Sequence, residues 1–108
     1  MIVQIVPNDT QHPPGKLADV ELHFTGDDGE LAGLKLMGFA IWERRGGGGK
    51  NVTFPSRPYS VNGNRCSFTL LRPISDSTAT EQVRDAILAA YAEYLRHLEW
   101  SDEHRVVG

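Results

Sequence analysis

One cysteine, Cys66, is all the sulfhydryl chemistry this chain has, which excludes a disulfide-stapled scaffold. Long apolar runs are missing too. The most apolar stretch, Leu36 to Trp42, is far shorter than the ~20 residues a spanning helix needs. The opening residues, Met1 to Val6, hold no base and precede Pro7 directly, which does not read as a secretion signal. The expectation is a cytoplasmic chain with no membrane contact. A large charge excess is also lacking: 11 Lys plus Arg stand against 14 Asp plus Glu, a net charge of −3. With 40% apolar residues, that balance excludes disorder. A length of 108 residues suits one domain, 1–108, able to bury a real core, with a flexible acidic end over 99–108.

What is present is a run of strand signals followed by one helix. Ile2 to Val6 is dense in β-branched residues and predicts a short strand. Three prolines and a glycine between Pro7 and Gly15 make a loop. From Leu17, Ala18, Val20, Leu22 and Phe24 alternate with polar residues, the pattern of a half-buried strand. Gly26-Asp27-Asp28-Gly29 is turn chemistry in which solvated carboxylates are expected. Leu34 to Trp42 is apolar on both faces, hence a central strand or one at an oligomer contact. Arg44 to Gly49 reads as a loop tip, and Asn51 to Pro55 resumes a strand. Asn62-Gly63 is a strong hairpin signal, followed by a strand from Cys66 to Arg72 in which Cys66 faces the core.

After Pro73 the period changes. Thr78 and Glu81 fit a capping box, and Val83, Ile87, Ala90, Tyr91, Tyr94 and Leu98 share one helical face. Leu88 and Leu95 widen that face, through a broad core contact or through dimerisation. The order predicts an α+β fold: an antiparallel sheet of about five strands with one long C-terminal helix on it.

Motifs for catalysis or metal binding do not assemble. Gly46 to Lys50 resembles a phosphate loop only superficially: Asn51 replaces the required Ser or Thr, and a strand follows. The histidines are His12, His23, His97 and His104; Glu93 and His97 lie four apart on the helix, and two ligands do not make a metal site. No GxSxG is present, and Cys66 has no evident histidine partner. Asp102-Glu103 reads as a solvated tail pair. No enzyme activity, catalytic residue, metal, cofactor or small-molecule substrate is expected.

Acid is what the middle of the chain lacks. Between Glu43 and Asp76 there is none, while Arg44, Arg45, Lys50, Arg57, Arg65 and Arg72 give the window +6 and leave the rest at −9. Arginine binds phosphate bidentately, and Tyr59 and Phe54 stand close to Arg57 for stacking on bases. Asn51, Ser56, Ser60, Asn62 and Asn64 add neutral donors. The alternative is a solvated basic edge that discourages strand pairing.

Within that window, Val52-Thr53-Phe54-Pro55-Ser56-Arg57 resembles the strand and Pro-Ser-basic motif of the bacterial SpoVG-like septation regulator family. The Asn62-Gly63 turn, Arg72-Pro73-Ile74 before the helix, and a helix Glu81 to Tyr91 ending in tyrosine extend the likeness over roughly Ile2 to Tyr91. Pro58 stands where the family often has a second basic residue; the Gly-rich insertion and the acidic end are further departures. The resemblance implies a homodimer that binds DNA or RNA in gene regulation, with Arg57 at the family's binding position. Arg57, Arg65, Arg44, Arg45 and Lys50 are the expected phosphate contacts and Tyr59 the stacking residue. The competing expectation is a protein-interaction or assembly module that uses the sheet and the outer helix face through Leu88, Leu95 and Trp100.

Overall fold

A computed structural model describes residues 1–103, with side chains described to Trp100. The fold is α+β. Strands β1 (Ile2–Pro7), β2 (Lys16–His23), β3 (Lys35–Glu43) and β4 (Lys50–Thr53) form an antiparallel sheet in the order β1-β2-β3-β4. Among the described residues, strands β5 (Ser56–Val61) and β6 (Asn64–Thr69) pair only with each other, and helix α1 (Thr78–Glu103) follows them. There are thus, among the described residues, six strands in two sheets, where about five in one were expected. The helix includes Glu99 and Trp100, the start of the expected flexible end. His104, and the side chains of Asp102 and Glu103, lie outside the described residues. No described helix is long and apolar enough to cross a membrane.

Alternation in β2 puts Ala18, Val20 and Leu22 on one face of the sheet, where Ile5, Phe39, Ile41 and Val52 join them. Helix α1 crosses this face, touching both β1 and β4, and contributes buried Ile87 and Tyr91. Each large apolar side chain so buried contributes roughly 1.5–3 kcal/mol. Leu88 and Leu95, both half-buried, pack against this cluster, as a broad core face requires. Leu98, expected on the apolar face, is exposed. A helix of 26 residues is about 39 Å long, whereas four strands span less than about 20 Å, so part of it must overhang.

Strict alternation fails in β3. Val20 faces Phe39 and Leu22 faces Leu36, so β3 carries one extra residue between these partners. This bulge turns both Leu36 and Phe39 toward the core and leaves Met37 outside. Gly38 supplies the required backbone, at φ +106°, and a β-carbon there would sit 2.9 Å from Pro55 Cβ. Only glycine fits both conditions. β3 is the central strand expected, between β2 and β4.

The expected capping box at Thr78 and Glu81 is replaced by an earlier stop. Asp76 Oδ1 accepts the Thr78 amide at 3.0 Å, and the Ser77 carbonyl accepts from the Glu81 amide. The Asp76 carboxyl is held below its usual pKa by that amide. Asp28, expected to be simply solvated, is likewise lowered, chiefly by the Thr25 amide it accepts at 2.6 Å.

Candidate functional site

The hairpin β5–β6 is exposed along almost its whole length. Asn62 and Gly63 take φ of +51° and +81°, the positive pair that a two-residue hairpin turn requires. That turn fixes the register: Val61 faces Asn64, Ser60 faces Arg65, Tyr59 faces Cys66 and Arg57 faces Phe68. Directly opposed residues share a face of the ribbon. One face therefore carries Arg57, Tyr59, Cys66 and Phe68, and the other carries Ser60 and Arg65 together with Pro58 and Ser67.

On the first face the Tyr59 and Phe68 rings meet with centroids 5.8 Å apart, yet both stay 40% or more exposed. Cys66, expected in the core, lies half-buried on this ribbon instead. The strand that holds it does not join the main sheet. Nor does that strand reach Arg72: it ends at Thr69. The Leu70 amide donates to the Pro55 carbonyl at 2.8 Å, after which the chain turns back and Leu71 packs on the core.

The remaining expected contacts lie elsewhere. Arg44 and Arg45 occupy the tip between β3 and β4, closed by the Arg44 amide on the Gly49 carbonyl. Lys50 begins β4, and its Nζ lies 5.8 Å from the centroid of the Tyr91 ring, a cation–π contact with the edge of the core. Burial, ahead of the nearby Tyr94 and Glu43, pushes the Tyr91 hydroxyl up. This tip is at the start of β4, whereas the hairpin departs from its end. The expected residues thus fall into two groups, Arg57, Arg65 and Tyr59 on the ribbon and Arg44, Arg45 and Lys50 at the opposite end of β4. Among the described residues, none of these five cations has an ion-pair partner.

A third concentration of charge escaped the sequence reading. Arg72, in the segment returning from β6, and Arg84, on the second turn of α1, line one cavity of about 360 Å³. Arg84 lies outside the acid-free window, and its placement depends on how the helix is seated. The only signal available was the i,i+4 spacing that sets it beside Thr80. Among the described residues no three His, Cys, Asp or Glu side chains cluster as metal ligands. Glu93, paired with Arg96 and 3.7 Å from His97, belongs to an exposed helical ion pair, and these partners lower its pKa, Arg96 most.

Comparisons of the chain with protein-family models, with curated proteins and with solved structures gave no match.

Proposed function

We propose that this is a cytoplasmic, homodimeric nucleic-acid-binding regulator of the SpoVG-like kind, which grips DNA or RNA with the β5–β6 ribbon. The observation that carries this reading is Arg57 beside Tyr59 and Phe68 on a projecting, acid-free ribbon. An unpaired guanidinium next to exposed rings suits phosphate binding coupled to base contact. Arg65 on the opposite face adds to the case. A two-stranded ribbon fits a duplex major groove about 12 Å wide, and cations on both faces then reach phosphates on both walls. Arg44, Arg45 and Lys50 would meet a neighbouring stretch of the same polymer, or act from the second protomer.

The test is an anisotropy titration of labelled duplex DNA, single-stranded DNA and RNA at several salt concentrations. Binding that weakens steeply with salt, with a slope falling by about one for each phosphate contact removed, supports the reading. Absence of binding at tens of micromolar protein and low salt overturns it.

A second reading is a protein-interaction module. The exposed Tyr59, Val61, Phe68, Leu70 and Ile74 favour it, since they give the ribbon and its return segment more apolar surface than a lone hairpin needs. With Leu88 and Leu95 engaged in the core, this interface moves from the outer helix face to the ribbon. A partner retained at high salt and lost on Phe68→Ser is its signature.

A further inference from the structure

The cavity between the foot of the ribbon and the start of α1 is lined by two cations and no carboxylate. Arg72 and Arg84 share its wall with Thr80 and Thr69, over an apolar floor that includes Phe54 and Leu71. Neither guanidinium has an ion-pair partner among the described residues. Arg84 Nε is enclosed with no hydrogen-bond partner, a condition that native proteins rarely leave unexplained. Two like charges brought to one concavity without a counter-charge repel each other, and an anion between them reverses the sign of that interaction.

The helix start is not what attracts the anion. Its first amides are already committed, that of Thr78 to Asp76 and those of Ala79 and Thr80 to the carbonyls of Asp76 and Ser77. The Thr80 hydroxyl is likewise engaged, donating to the Ser77 carbonyl at 2.7 Å. The guanidiniums alone must supply the recognition, and that sets its chemistry. Two forks carry two positive charges, matching a phosphate monoester at about −1.5 to −2 better than a carboxylate at −1. The volume lies near the lower end of small-molecule sites, roughly 300–1,000 Å³, so there is room beyond the phosphate for a small planar group over Phe54 and Leu71.

We propose that this cavity is a phosphate site, sized for a nucleoside monophosphate, in which Arg72 and Arg84 hold the phosphate and Phe54 and Leu71 receive the base. It does not rest on the ribbon's binding a polymer: the phosphate can come from a free nucleotide or from a nucleic-acid chain. Calorimetric and NMR titrations of the full chain with inorganic phosphate, adenosine monophosphate, adenosine and a short 5′-phosphorylated oligonucleotide, at matched ionic strength, separate these sources.

Saturable binding of the monophosphate, with phosphate weaker and adenosine absent, is the expected result for a free ligand. Arg84→Met, which keeps the side-chain stem, weakens it about tenfold or more, while Arg57→Met leaves it unchanged. Arg72→Met, in the exposed return segment, gives the same loss and serves if the helix variant fails to fold. Arg84-dependent affinity confined to the 5′-phosphorylated oligonucleotide identifies its terminal phosphate, a monoester, as the occupant and also upholds the site. The site is overturned if no phosphate-bearing probe binds up to about 20 mM, or if binding is indifferent to both Arg84→Met and Arg72→Met. Oligonucleotide binding that is lost with Arg57 but retained with both of these variants removes this site and leaves the proposed function standing.

Discussion

The body and the ribbon of this protein are built from similar residues and held by different forces. In the body, strands β1 to β4 share one apolar face with α1, and Phe39, Ile41, Val20, Leu22 and Ile87 are sealed from water. In the ribbon, Tyr59, Val61 and Phe68 are as apolar as these yet stay exposed, and its order rests on twelve paired backbone residues and one turn. An isolated hairpin is marginally stable at best. The radius of gyration, 16.6 Å against about 13 Å for a compact chain of this length, reflects the projecting ribbon and the overhanging helix. The contrast teaches that hydrophobicity alone does not say which side chains form a core. A second surface must arrive to cover them, and among the described residues the ribbon receives none.

The comparison breaks most visibly if equal truncations have equal cost. Phe39→Ala is expected to lower stability by about 3–5 kcal/mol in urea unfolding, enough to unfold a marginal domain. Phe68→Ala should cost less than about 1 kcal/mol by the same measurement, because its ring is 40% exposed and its ring contact is with the likewise exposed Tyr59. Equal losses would mean that the ribbon is part of the folding unit. The junction comes next. Gly38→Ala forces a side chain into positive φ and against Pro55, and should cost about 1–3 kcal/mol. Amide shifts should then move in β5 as well as β3.

Within the ribbon, Arg57→Ala should weaken nucleic-acid binding severalfold and reduce the salt slope by about 0.7–0.9, without changing the melting temperature. If single strands stacked on Tyr59 are the ligand, Arg65→Ala on the far face does much less; if duplex DNA is, the two are similar. The smallest effect sharpens the contrast through acid. Glu21 is held below its usual pKa by hydrogen bonds from His23 and Lys35, and Asp76 by the Thr78 amide. Because these folded-state values are depressed, their contribution is full above the ordinary values of 4.5 and 3.8 and is lost as pH falls through the lower ones. The ribbon has no carboxylate. Its amide shifts should therefore stay constant over the acid range in which those around Glu21 and Asp76 move, which NMR can follow residue by residue.

Much of the body was legible because half-buried strands write their burial into alternate residues. Ala18, Val20 and Leu22 carried that signal, and the apolar stripe of α1 did the same at helical spacing. The bulge was not legible: alternation from Leu34 predicts one parity throughout, and only pairing with β2 reveals the extra residue at Met37-Gly38. The Asn62-Gly63 turn was visible, and its two-residue length already implies that Arg57 and Arg65 oppose each other in facing. What the turn does not carry is whether a strand has a neighbour on its outer side. For that reason Cys66 was expected in a core that its strand never joins. The meeting of Arg72 and Arg84 depends on where the helix lands, which no local pattern encodes.

The meander has a consequence in time. Every strand of the body pairs with the one made just before it, so the sheet is complete once Thr53 is available, but the helix residues that cover it extend to Leu95. At about 5–20 residues per second, synthesis of that interval takes roughly 2–8 s, during which the apolar face of the sheet waits uncovered. The first part of the segment made during the wait, as far as Arg72, is the ribbon and its return with Arg57, Arg65 and Arg72 and no acid; Asp76, Glu81, Asp85 and Glu93 come with the helix. Until Asp76 is made, the stretch beside the exposed face thus carries charge of one sign, and like charges on neighbouring nascent chains repel one another.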